Sequence, residues 1–137
     1  MRVLILSLIL LIPLTSSSFA MSTGDLYQYC KPFADRAFEA KTSDDLACVT
    51  YFRGVADSGL KTCATIKDII TRPDVSAEQK AVFNAVMSSE GLAFADGSKL
   101  KPAIQLFVNE MAASPEKWDS GATWAVHSSI QKVAPCE

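Results

Sequence analysis

Apolar residues recur at helical intervals along most of this chain. Leu26, Tyr29, Cys30, Phe33 and Ala37 recur at helical spacing, which predicts a first helix with Thr23 or Asp25 as its N-cap. Lys41-Thr42-Ser43 reads as a connector, and Ser43 or Asp44 suits the cap of a second helix. Leu46, Val49, Phe52, Ala56 and Leu60 form the apolar stripe of that helix, while Asp45, Thr50, Arg53 and Asp57 mark its polar side. Two helices with so short a connector pack antiparallel. Gly54 costs about 1 kcal/mol of helix propensity relative to Ala, so it predicts close approach of another backbone or an aromatic ring. Gly59 predicts a point where the helix loosens or ends before Cys63.

Ile66, Ile69 and Ile70 supply a turn or two of helix before Arg72-Pro73, where helix should stop. Ser76-Ala-Glu-Gln opens a further helix with Val82, Phe83, Val86 and Met87 inside, running towards Phe94. Asp96-Gly97-Ser98 is a turn signal. Ile104, Phe107, Val108 and Met111 then fall at i, i+3, i+4 and i+7, in a helix starting near Lys101-Pro102. Ser114-Pro115 interrupts it, and Pro115-Glu116-Lys117-Trp118 reads as a corner. A last helix over about 120–133 turns Trp124 or Thr123, Val126, Ile130 and Val133 inwards, until Pro135 ends it and Cys136 ties down the terminus. No segment sustains period-2 alternation, and there are no internal repeats. The predicted fold is all-α, a single compact bundle of about five helices.

The start of the chain changes the picture of where this bundle resides. Residues 1–20 carry one Arg, an apolar run from Val3 to Leu14 broken by Ser7 and Pro13, and small residues Ser18 and Ala20 at the −3 and −1 positions of a cut. This is the pattern of a cleaved secretory signal, and the run is shorter than the ~20 residues that span a bilayer. The domain is therefore expected over 21–137, without a membrane segment after cleavage, and no cysteine follows the cut to carry a lipid. Losing Arg2 moves the formal charge from −2 to −3, which offers no basic face for nucleic acid. Cys30, Cys48, Cys63 and Cys136 all lie beyond the cut, and an even number in an exported chain predicts two disulfides with three conceivable connectivities. Cys30 and Cys48 sit on the facing stripes of the first two helices, where a bond would staple the hairpin.

Candidate chemistry is sparse. His127 is the only histidine and the one side chain suited to acid–base work near neutral pH, with Ser128 and Ser129 adjacent. Neighbouring helix positions point in different directions, so a surface histidine is the stronger reading. Asp44-Asp45 is better explained by a helix N-terminus than by a cation, and Arg53 with Asp57 as an i, i+4 pair. No close cysteine pair or spaced ligand set suggests a metal, and no glycine-rich loop suggests a phosphate cofactor. Tyr27, Tyr29, Tyr51, Trp118 and Trp124 divide between core and interface anchors, with core favoured.

Three stretches carry a resemblance. Cys48-Val-Thr-Tyr-Phe-Arg-Gly54-Val55-Ala-Asp57 is one, Ile104-Gln-Leu-Phe-Val-Asn-Glu-Met-Ala-Ala-Ser-Pro115-Glu116 with Trp118 after it is the second, and Ala122-Thr-Trp-Ala-Val-His-Ser-Ser-Ile closing on Ala134-Pro135-Cys136 is the third. In order and in termination these resemble the type VI secretion amidase-immunity (Rap/Tai) family, over about half of the chain beyond residue 20. In that family a cysteine precedes the Gln-Leu-Phe-Val helix, where this chain has Phe94-Ala-Asp-Gly; Cys63 lies about thirty residues earlier. With Cys30–Cys48 preferred as one bond, Cys63–Cys136 remains as the other. The resemblance implies structural roles for Tyr51, Gly54, Asp57, Pro115, Glu116 and Pro135. It further implies a periplasmic protein without catalytic group or cofactor, a homodimer or partner-bound monomer, that binds and neutralises a peptidoglycan-cleaving amidase effector. The rival expectations are a small periplasmic helical chaperone of the acid-stress kind and a small cell-wall enzyme.

Overall fold

A computed structural model describes residues 21–89 and 98–136. Five α-helices run through them: α1 (Thr23–Asp35), α2 (Ser43–Thr71), α3 (Ala77–Ser89), α4 (Leu100–Ala113) and α5 (Ala122–Val133), with a 3-10 turn at Pro115–Lys117. Among the described residues there is no strand; Ser22 and Gly121 form an isolated antiparallel bridge. The all-α class expected from periodicity is the class observed. The signal segment, the Met87 side chain, Phe94 and the Asp96-Gly97 part of the turn lie outside the described residues.

Both helix caps at the N-terminal hairpin fall upstream of the positions expected. Ser22, not Thr23 or Asp25, caps α1: its Oγ accepts from the Asp25 backbone N–H at 3.1 Å. Thr23 is buried instead, donating from Oγ1 to the Ser120 carbonyl at 2.9 Å. Thr42, not Ser43 or Asp44, caps α2, because only Thr42 has Asp45 three residues on to complete a reciprocal capping box. Asp45 thus moves from the expected polar face to 1% exposure. Its carboxylate accepts the backbone N–H groups of Lys41 and Thr42, both at 2.8 Å, and pairs with Arg36.

The first helix ends earlier than its stripe suggested. Ala37 does not face the core; it is exposed and left-handed at φ 55°, followed by Phe38 at φ 65°. The Phe38 N–H bonds the Phe33 carbonyl at 3.0 Å and the Ala37 N–H bonds the Ala34 carbonyl at 3.1 Å. Together these form a Schellman motif, and its usual apolar contact is present, Phe33 against Phe38 edge-to-face at 5.4 Å.

Helix α2 is a single element of 29 residues, so the stretch after Gly59 is neither a break nor a separate turn. Gly59 is buried inside it. Gly54 is exposed, with nothing within 4 Å of where a Cβ would sit, so the expected close approach is absent there. The buried line runs through Cys48, Phe52, Ala56, Gly59, Cys63 and Ile66. Leu46 (59% exposed) and Leu60 (41%) lie off that line, which corrects their placement in the core. In α3 likewise Val82 and Val86 are exposed and Phe83 is half-buried, because the helix docks on α2 through one narrow face.

Helix α4 behaves as its spacing predicts: Ile104, Phe107, Val108 and Met111 are all buried. Phe107 meets Phe52 edge-to-face at 5.5 Å in the main core, with Leu26, Val126 and Ile130 around it. Cys30 and Cys48, both fully buried, form a disulfide that joins α1 to α2 across a sequence separation of 18. Cys63 and Cys136 form the second, 73 residues apart, inside a small separate cluster with Ile66, Ile70 and Phe83. On the chain-entropy account these closures contribute about 3 and about 4 kcal/mol.

Two outcomes follow from the caps. Ala37 pays the steric cost of a left-handed residue that glycine avoids, so Ala37→Gly should raise stability by about 0.5–1 kcal/mol in denaturant melts. The Asp45 carboxyl is held at about 2, below its ordinary 3.8, first by the Lys41 N–H and then by Thr42 and Arg36, against the opposing effect of burial. A lowered folded value means that the stabilisation is complete above the unfolded value and is lost as pH falls through the folded one. The stability gap between the native chain and Asp45→Asn should therefore be constant above about pH 5 and close between pH 4 and 2. A gap that persists unchanged at pH 2 would refute the assignment.

Candidate protein-docking site

The turn between α4 and α5 is built by Pro115. The residue before a proline is pushed out of the helical region, and Ser114 accordingly sits at φ −137°, ψ 65° and ends α4. One 3-10 turn follows, and Trp118 then locks the corner. Its Nε1 donates to the Met111 carbonyl at 2.9 Å, and its ring lies 5.1 Å from Tyr27. The start of the described chain is laced into the same corner. The Gly24 N–H bonds the Trp118 carbonyl at 2.9 Å, the Thr23 N–H bonds Ser120 at 2.8 Å, and the Ala122 N–H bonds Met21 at 3.1 Å. Gly24 packs closely here: a Cβ would stand 3.0 Å from the Trp118 Cβ, a tight contact that Trp118 would have to give way to.

On the outer side of this corner, α4 and α5 leave an open cleft of about 270 Å³. Its floor is apolar, with Met111 and Ala125 both 4% exposed. Trp124 stands at its edge and is 71% exposed, and Thr123 is exposed too, which corrects the expectation that one or the other faces the core. The inward positions of α5 are taken by Ala122, Ala125, Val126, Ser129 and Ile130. Lys132 and Glu110 pair across one end of the cleft. Lys117 lines it too, and among the described residues no carboxylate pairs with Lys117. The Tyr51 hydroxyl lies 2.9 Å from the Thr123 hydroxyl, tying α2 to the helical turn that carries Trp124.

The other residues singled out from the sequence do not converge. His127 is half-buried on α5, Ser128 lines the cleft, and the buried Ser129 spends its hydroxyl on the Ala125 carbonyl at 3.0 Å. Arg53 and Asp57 are both exposed and form no ion pair with each other, so the expected i, i+4 link is absent. Asp44 is exposed beside the Asp45 cap, and among the described residues no group of three His, Cys, Asp or Glu could hold a metal ion. Pro115 and Glu116 lie in the 3-10 turn, and Pro135 follows α5. Glu110, Lys117, Ser128 and Lys132 were not legible as a site. Trp124, Ser128 and Lys132 recur every four residues, and such a stripe of mixed polarity reads as a solvated face. In comparisons with known proteins, the chain matches no family model, no curated protein and no solved structure.

The two indoles should separate cleanly by mutation. Trp118→Ala removes a packed ring and a hydrogen bond and should cost about 2–3 kcal/mol, near the lower end for buried aromatics. Trp124→Ala should change stability by no more than about 0.5 kcal/mol. Guanidinium melts of both variants check this; a comparable loss for Trp124→Ala would put that ring in the core after all.

Proposed function

We propose that this protein is a periplasmic immunity protein that binds and neutralises a peptidoglycan-cleaving, amidase-type effector of type VI secretion. The observation that carries the reading is the exposed Trp124 beside an apolar-floored cleft, on a corner immobilised by Trp118 and by pairing with the first described residues. Tryptophan is enriched among the residues that dominate binding energy at protein interfaces. An inhibitor gains from a surface already rigid before it meets its target, because less ordering entropy is lost on association. Two disulfides on one helical bundle supply that rigidity and suit an oxidising compartment.

Export through a cleaved signal over residues 1–20 belongs to the same reading. Met21, the residue after the predicted cut at Ala20, accepts the Ala122 N–H, so the corner described above lies wholly beyond that cut. No helix among the described residues is long and apolar enough to cross a membrane. The resemblance of the Cys48–Asp57, Ile104–Glu116 and Ala122–Cys136 stretches to the amidase-immunity family supplies the target class.

The test is inhibition of hydrolysis. A purified amidase effector encoded beside this gene should lose its peptidoglycan-clearing activity at a one-to-one ratio with the protein, and its periplasmic toxicity should be relieved by co-expression. Clearing of peptidoglycan by the protein itself, abolished in His127→Ala, would establish a cell-wall enzyme and end the immunity reading.

A further inference from the structure

We propose that the cleft beside Trp124 accepts a single acidic side chain of the protein partner, its carboxylate at Lys117 and its aliphatic stem between the indole and the Met111–Ala125 floor. This deepens the protein-binding reading above and rests on it. Size is the first argument. The cleft is open and, at about 270 Å³, small against the ~300–1,000 Å³ of typical small-molecule pockets, with room for one inserted side chain. Charge is the second. Of the three charged groups lining it, Lys132 and Glu110 neutralise each other, which leaves the Lys117 ammonium uncompensated among the described residues. Glu116 and Asp119, its chain neighbours, do not line the cleft.

The distribution of polarity narrows the occupant further. A sugar ring would need several uncommitted hydrogen-bonding groups converging on it. Ser120 already donates to the Lys117 carbonyl at 2.6 Å, so of the cleft's hydroxyls only those of Ser114 and Ser128 are uncommitted. An apolar floor and an indole wall, with one cation at the rim, match instead an amphipathic anion with a short apolar stem, which is a glutamate side chain. The Lys117 backbone is fixed in the 3-10 turn, where its N–H bonds the Ser114 carbonyl at 3.1 Å.

The experiment titrates the full disulfide-bonded protein with three capped tripeptides, acetyl-Leu-Glu-Leu-amide and its Gln and Lys counterparts, while following the two indole N–H resonances. The Trp124 signal should move with the glutamate peptide, at least about tenfold more weakly with the glutamine one, and the Trp118 signal should stay still. Lys117→Ala should remove the preference for glutamate over glutamine, and added salt should weaken it. Equal responses to all three peptides, no response, or an unchanged preference in Lys117→Ala would overturn the proposal. Binding of the amidase effector then separates the two readings. If Trp124→Ala and Lys117→Glu bind it as tightly as the native chain, the cleft proposal fails and the immunity reading stands. If the glutamate peptide binds as expected but the native chain does not bind the effector, the immunity reading fails and the cleft stands.

Discussion

Trp118 is held on three sides at once. Its Nε1–H satisfies a carbonyl in the last turn of α4, its ring packs on Tyr27 of α1, and its own carbonyl receives the Gly24 N–H. One residue after a proline-initiated turn thereby joins the start of α1 to the last turn of α4. The angle between α4 and α5 follows from it, and so does the cleft on the outer side, because the corner holds their facing ends at a set spacing. Each bond replaces one that the exposed chain would make with water, so individually they contribute only about 1 kcal/mol. Acting on the same few residues, they tie the corner to both α1 and α4.

The disulfides act on other elements. Cys30–Cys48 lies in the main core, where α1 and α2 already pack, and it removes freedom chiefly from the unfolded chain. Cys63–Cys136 has a different setting. Its cluster is small, so the bond itself is much of what anchors the second half of α2 to the segment after α5. A helix of 29 residues reaches beyond the main core, and the second staple secures the part that the core does not cover. The corner and the staples thus divide the work: hydrogen bonding sets α4 against α5, and covalent bonds set α2 against the rest.

This division explains what the sequence could and could not disclose. The α4 stripe was legible because Ile104, Phe107, Val108 and Met111 are packed along their whole length, and the Pro115 corner because a proline leaves the preceding residue few choices. Caps were misplaced by one to three residues because Ser22, Thr23, Thr42, Ser43 and Asp44 are all competent, and only the partner three residues on decides among them. Gly54 and Gly59 suggested a contact and a break, yet packing of the surrounding line from Cys48 to Ile66 overrides a propensity cost of about 1 kcal/mol. Ala37 looked like a core alanine because spacing carries no information about a left-handed φ. The cleft was illegible for a related reason: its residues come from α4, the turn and α5, and no local pattern links Glu110 and Lys117 to Lys132.

Exposed apolar side chains are ordinary, and Leu46 or Val82 needs no special account. Trp124 differs in its surroundings. The inward face of α5 is complete without it, so the fold does not require an indole at this position. It borders a floor formed by Met111 and Ala125 that a partner could cover, and the turn it occupies is tied to α2 through Thr123 and Tyr51. A large rigid ring with few rotamers to lose, fixed beside a recess, binds with little entropic loss. A flexible surface lysine or leucine in the same place would not. The corner that organises the fold therefore also sets the geometry of the surface we assign to recognition, and a mutation that loosens Trp118 should weaken both together.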